Sequence, residues 1–177
     1  MSIARADGTD PVAVENEGAE THRLVWAPDG SRLAFSAAAP RSRALIYEDL
    51  FLVDGDGKNL RRLGRVVTES TFSVSPGGRQ VVALGAHKRT FTIDVIETQT
   101  QKAQTIATVT GDPQSGDLPS HPLWSPDGRY VLYETFAGRY VHILRADPAT
   151  GESQPVVGDE GEFVSVNDLT WQGSAQD

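Results

Sequence analysis

The chain has 177 residues, enough for one domain with a sizeable core. Apolar residues make up 38%, with too many β-branched and aromatic members for a disordered chain. Sixteen Lys and Arg against 24 Asp and Glu leave a net charge of −8, which repels phosphate backbones and argues against a nucleic-acid partner.

The first residues, Met1-Ser2-Ile3-Ala4-Arg5-Ala6-Asp7, lack the apolar stretch of a secretory signal. Ile3-Ala4-Arg5, then Asp7-Gly8, then Val12-Ala13-Val14 predicts a β-hairpin, the Asp-Gly pair supplying the positive φ of a tight turn. Leu24-Val25-Trp26 predicts a strand that stops at Ala27-Pro28-Asp29-Gly30 and resumes as Arg32-Leu33-Ala34-Phe35. Proline presets φ at the second position of a type I turn and cannot continue a ladder; Asp and Gly suit the next two positions.

Phe51-Leu52-Val53, Asp54-Gly55-Asp56-Gly57 and Leu60-Arg61-Arg62-Leu63 predict another hairpin. The first kind then recurs, with Phe72-Ser73-Val74 before Ser75-Pro76-Gly77-Gly78 and the strand Gln80-Val81-Val82-Ala83. Phe91 to Ile96, a polar turn over 97–102, and Thr105-Ile106-Ala107 give the second kind again. A third round follows: Leu123-Trp124, Ser125-Pro126-Asp127-Gly128 and Tyr130-Val131-Leu132-Tyr133, then Val141-His142-Ile143-Leu144, Asp147 to Gly151 and Pro155-Val156-Val157. A truncated fourth copy starts at Asp168-Leu169-Thr170-Trp171.

The matching positions lie 48 residues apart from Trp26 to Val74, 50 from Val74 to Trp124 and 47 from Trp124 to Trp171. Such a period suits a four-stranded propeller blade, whose strands we letter a to d. No window keeps an apolar 3.6-residue period, so the chain is expected to be all-β, with antiparallel four-stranded blades. The expected layout is a single, partial propeller over 1–177. Its blade-like repeats lie near 22–67, 70–109 and 121–158, and its partial blades at 1–15 and 167–173.

Trp26-Ala27-Pro28-Asp29-Gly30 and Trp124-Ser125-Pro126-Asp127-Gly128 resemble the W-S-P-D-G signature of the TolB-type propeller repeat. Arg32-Leu33-Ala34-Phe35 resembles its continuation, and Leu52 to Leu60 resembles the strand and turn that close it. The middle copy departs, with Val74 and Gly77 for the tryptophan and aspartate, but keeps Pro76 and Gly78. The resemblance implies a ring-shaped, non-enzymatic scaffold that binds protein, found in the bacterial periplasm. The alternative it implies is the propeller portion of a prolyl-oligopeptidase-like peptidase whose hydrolase domain is absent here. In such propellers the chain often ends in a segment like Asp168-Leu169-Thr170-Trp171-Gln172-Gly173. The expectation is therefore a natural C-terminus and a cut N-terminus. Either the chain is the C-terminal portion of a larger propeller, or two copies join to complete a ring, or the chain closes alone as four blades with a loop filling the gap left by the missing strand.

Candidate chemistry is sparse. The absence of cysteine excludes disulfides and thiol nucleophiles, and no apolar run reaches the roughly 18 residues of a membrane-spanning helix. No G-x-S-x-G elbow, P-loop or G-x-G-x-x-G occurs. His22, His87, His121 and His142 match no metal-binding spacing; His22 and His121 are expected in loops just before a strands, held by structural hydrogen bonds. Asp54, Asp56 and Asn59 lack the rest of a calcium loop and read as a turn, and Asp159-Glu160-Gly161-Glu162 as an exposed loop. The groups Arg41 with Arg43, and Arg61, Arg62 and Arg65, read as solvated loop and strand-end positions. Trp26, Trp124 and Trp171, at one repeat position, are expected to pack between blades. No cofactor or metal is expected. Face loops are 37–43, 110–120 and 159–167; the second, with Gly111, Asp112, Gln114, Asp117 and the adjacent His121, is the expected partner-binding loop.

Overall fold

The computed structural model describes residues 1–15, 20–38, 47–67, 70–87, 90–109, 122–137 and 140–157. Among them there is no helix, and hence none that could cross a membrane. A short hairpin pairs β1 (Ser2–Ile3) with β2 (Val12–Ala13). Three four-stranded antiparallel sheets follow, each in simple chain order. Blade 1 holds β3 (Thr21–Trp26), β4 (Arg32–Ala37), β5 (Tyr47–Asp54) and β6 (Arg61–Val67). Blade 2 holds β7 (Phe72–Val74), β8 (Gln80–His87), β9 (Thr90–Glu97) and β10 (Ala103–Val109). Blade 3 holds β11 (Leu123–Trp124), β12 (Val131–Ala137), β13 (Tyr140–Ala146) and β14 (Ser153–Val157).

The turn chemistry explains the hairpins. In Ala27-Pro28-Asp29-Gly30 the Gly30 amide donates to the Ala27 carbonyl at 2.9 Å, and Gly30 takes a φ of 69°. The Asp29 carboxylate accepts from the Ser31 amide and hydroxyl at 2.9 and 2.6 Å. Asp127 does the same for the Arg129 amide and the Ser125 hydroxyl. These hydrogen bonds, the side-chain ones first, hold both carboxyls below the ordinary aspartate value. In the middle turn Gly77 lacks the carboxylate, but Gly78 still donates to Ser75 at 2.8 Å.

Three apolar layers hold the sheets together. Ile3 and Val14 of the hairpin pack on Leu33, Phe35, Ala37 and Val53 of blade 1. Ala34, Leu50, Leu52, Leu63 and Val66 pack on Phe72, Val74, Val81, Ala83 and Ile96 of blade 2. Val82, Leu84, Ile93, Val95 and Ile106 pack on Trp124, Val131, Tyr133 and Ala146 of blade 3. Middle strands are therefore buried on both faces, which is why β4 shows a run of apolar residues rather than strict alternation.

Polar ties bridge the layers as well. The Arg32 guanidinium, on the second strand of blade 1, donates to the Gly78 carbonyl at 2.7 Å and to the Thr98 hydroxyl, both in blade 2. Its Nε lies 3.5 Å from the Asp54 carboxylate. The Trp124 amide donates to the Ser73 hydroxyl at 3.1 Å, joining blade 3 to blade 2. Successive turns also lean on one another. A Cβ on Gly78 would lie 2.7 Å from the Ser31 hydroxyl, and one on Gly128 would lie 3.5 Å from Pro76.

Candidate functional site

Blade 1 has a face that its neighbours do not share. The register places Trp26 opposite Leu33 and Leu33 opposite Val53, and Leu24 opposite Phe35 and Phe35 opposite Phe51. Residues directly opposite in an antiparallel pair point to the same side. Two apolar rows therefore run across this face from β3 to β5. The hairpin β1–β2 covers their outer part: Leu33 is 2% exposed, Phe35 0% and Val53 0%. The Phe35 and Phe51 rings stack there, with centroids 5.3 Å apart. The inner ends of the same rows are open, with Trp26 45% and Leu24 51% exposed.

The corresponding residues elsewhere are covered. Val74 is 2% exposed against blade 1, and Trp124 is 6% exposed against blade 2. The expectation that the repeated tryptophans pack between blades thus holds for Trp124 and fails for Trp26. The reason is geometric. Trp124 meets a complete preceding blade, whereas among the described residues the sheet before blade 1 has two strands, β1 and β2. Among the described residues, β1 pairs with β2 alone, so its other edge carries no strand. Trp171 lies outside the described residues.

Next to this face is a cleft of about 430 Å³ between the hairpin and the β5–β6 turn. It is lined by Ile3, Ala4, Arg5, Asp10, Val12, Gly55 and Asp56. Its charges are already matched, since Arg5 pairs with Asp10 at 3.1 Å and Asp56 with Lys58 at 3.2 Å. The Asn59 amide donates to Asp54 at 2.8 Å, so Asp54, Asp56 and Asn59 form a turn, as expected. Among the described residues no three His, Cys, Asp or Glu side chains are grouped to hold a metal ion.

His22 is not in a loop: it lies within β3, where its Nδ1 sits 2.6 Å from a Glu48 carboxylate oxygen. The Glu48 side chain is 5% exposed and that of His22 39%. The Glu48 hydrogen bond, aided by the charges of Glu48 and of Glu20 at 3.9 Å, raises the imidazole above its ordinary value despite some desolvation. The stability from this pair is full below pH ~6.5 and is lost as pH rises through the raised folded value. An NMR titration is expected to place the His22 midpoint above that of free histidine, and Glu48→Gln to lower it. An unchanged midpoint in the variant would show that the pair carries no charge interaction.

The basic group after the β5–β6 turn opens β6 with Arg61 at the strand end, as expected. Arg62 and Arg65 lie further along the same strand, with side chains 48% and 69% exposed, and approach the Asp49 carboxylate at 2.7 and 3.5 Å. They are spaced to flank a carboxylate on the neighbouring strand. Arg41 and Arg43 lie outside the described residues. So does the expected partner-binding loop, with Gly111, Asp112, Gln114, Asp117 and His121. His87 ends β8 and His142 lies on β13. The exposed Leu24–Trp26 surface was missed by sequence reasoning; its only signal was a two-stranded hairpin preceding a full blade.

No family model and no curated protein matches the chain. Solved structures do. TolB from Acinetobacter baumannii matches with a TM-score of 0.64 and 18% identity over 92% of this chain and 38% of its own. A putative TolB from Agrobacterium tumefaciens matches at 0.64 and 17% over 89% and 54%. The β-propeller domain of the Trilobed protease from Pyrococcus furiosus matches at 0.61 and 14% over 81% and 44%. The fold is a β-propeller of the TolB kind, in part: the chain spans between about two fifths and just over half of these chains.

Proposed function

We propose that this chain is a non-catalytic protein-binding scaffold, a propeller arc whose open blade-1 face receives a protein partner. The observation behind this reading is the exposure of Leu24 and Trp26 on rigid sheet positions whose counterparts are buried in blades 2 and 3. Large apolar side chains grouped at the rim of a packed layer mark a protein contact, because water gains nothing from them. The surrounding carboxylates and guanidinium groups are engaged in turns and ion pairs, which leaves binding rather than proton transfer as the work of this face. The periplasmic setting implied by the family resemblance forms part of the proposal.

The test is affinity capture from a periplasmic extract, with the unaltered chain set beside a Leu24→Ser, Trp26→Ser double variant. Proteins held by the first and lost by the second are expected. Identical captured sets from the two chains would refute the assignment of this face. A second reading, the propeller portion of a peptidase, is favoured by the likeness to the Trilobed protease propeller. It requires a hydrolase nucleophile elbow in sequence adjoining this chain.

A further inference from the structure

We propose that the free edge of β3 is a strand-addition site whose occupant is an extended segment of a partner protein, with apolar side chains two positions apart and a carboxylate just beyond them. Strand addition rests on the reading of the blade-1 face as a protein-binding surface, and names the form and chemistry of its partner.

Backbone direction comes first. The Ala27 amide donates to the Arg32 carbonyl at 2.8 Å, so the polar backbone groups of Ala27 face β4. Successive residues of an antiparallel strand turn these groups to opposite edges. Val25, two residues earlier and opposite Ala34, therefore faces β4 as well. Leu24 and Trp26 turn their amides and carbonyls to the other edge. Among the described residues no strand lies beside that edge, since β3 ends its sheet. Unpaired backbone groups along a sheet edge template the addition of another strand.

Side chains give the segment its apolar residues. A residue directly opposite Trp26 on an added strand points to the same side as Trp26, and likewise for Leu24. It extends by one place the row of Trp26, Leu33 and Val53, or the row of Leu24, Phe35 and Phe51. Both rows end at this edge in apolar side chains 45% and 51% exposed. The two new places lie two residues apart and take apolar side chains. The first strands of the other blades lack this combination. β7 has three residues and β11 two, against six in β3. Val74 and Trp124, the counterparts of Trp26, are already buried.

Charge gives the segment its carboxylate. The register shifts between Thr21 and Leu24, so regular pairing along β3 is confined to Leu24, Val25 and Trp26. Two cationic side chains stand next to that stretch. His22 is engaged by Glu48 at 2.6 Å and Glu20 at 3.9 Å. Arg23 is exposed and has no ion pair among the described residues. Its guanidinium is the group that a carboxylate beyond the apolar pair meets.

Selection of a random linear heptapeptide library against the full 177-residue chain tests this. The expected binders carry two apolar residues two positions apart with Asp or Glu beyond them, at a Kd below about 100 µM. Single N-methylation of a selected peptide should weaken binding at least about tenfold at alternate positions and little at those between, because only every second amide faces β3. Bound peptide should slow hydrogen exchange at the Leu24 and Trp26 amides. Arg23→Glu should turn the selected peptides from acidic to basic. An N-methyl scan without alternation, or Leu24 and Trp26 amides that exchange no more slowly with peptide bound, would overturn strand addition; so would a library that yields no binder. Peptides lost by the Leu24→Ser, Trp26→Ser variant but showing no alternation would leave the protein-binding face standing without strand addition. Peptides that bind the double variant as tightly as the unaltered chain would remove strand addition, and the capture experiment would then decide the face by itself.

Discussion

Trp124→Ala is expected to destabilise the chain by about 3–5 kcal/mol, whereas Trp26→Ala at the same repeat position should cost under ~1 kcal/mol in the monomer. Trp124 is 6% exposed and packs among Val82, Leu84 and Val95 of blade 2 and Val131 and Tyr133 of its own blade. Truncating it removes a large ring from a closed layer and leaves a cavity that rigid strands on both sides cannot collapse. Trp26 is 45% exposed, and its removal mostly returns surface to a solvent it already meets. The indole Nε1 of Trp124 has no hydrogen-bond partner among the described residues, so Trp124→Phe should cost much less than Trp124→Ala. Urea unfolding with a common m-value measures all three. Equal costs at the two tryptophans would mean that blades 2 and 3 are not packed as described.

Arg32→Ala is expected to cost about 2–3 kcal/mol, more than any ordinary surface substitution. One guanidinium holds the Gly78 carbonyl, the Thr98 hydroxyl and the Asp54 carboxylate, and so spans two blades. Thr98 is only 1% exposed, and with Arg32 gone its hydroxyl keeps just the Gly78 and Arg79 carbonyls as partners. Arg32→Lys should recover less than half of the loss, because a single ammonium cannot face three groups at guanidinium spacing. Thermal unfolding reads the effect; a change within ~0.5 kcal/mol would show that the bridge is not formed in solution.

The hairpins and their period were legible because their causes are local. Pro28, Asp29 and Gly30 act within four residues, and the repeat at Ser75 and Ser125 multiplies the signal. The blade count followed from the same spacing. The contacts that shape the candidate site are long-range and were not legible. Arg32 meets Thr98 across 66 residues and His22 meets Glu48 across 26, and neither pair carries a spacing that the sequence marks. Arg32 occupies the position held by Gln80 and Tyr130 in the other blades, so repetition itself hid it. Trp26 shows the limit most clearly. A repeat position tells what a residue does beside a complete neighbour, not whether that neighbour is present. Its exposure needed the structure, in which the described residues before blade 1 form a two-stranded hairpin and Trp26 is left 45% exposed.

The uncovered inner face of blade 1 is tested most directly by acrylamide quenching of single-tryptophan chains. The chain has three tryptophans, so each form keeps one and carries phenylalanine at the other two. At dilutions where the chain is monomeric, this arrangement predicts that Trp26 is quenched readily and Trp124 is shielded, matching exposures of 45% and 6%. Trp26 as shielded as Trp124 in the monomer would contradict it, since the face would then be closed by the chain's own residues and have no place for a partner.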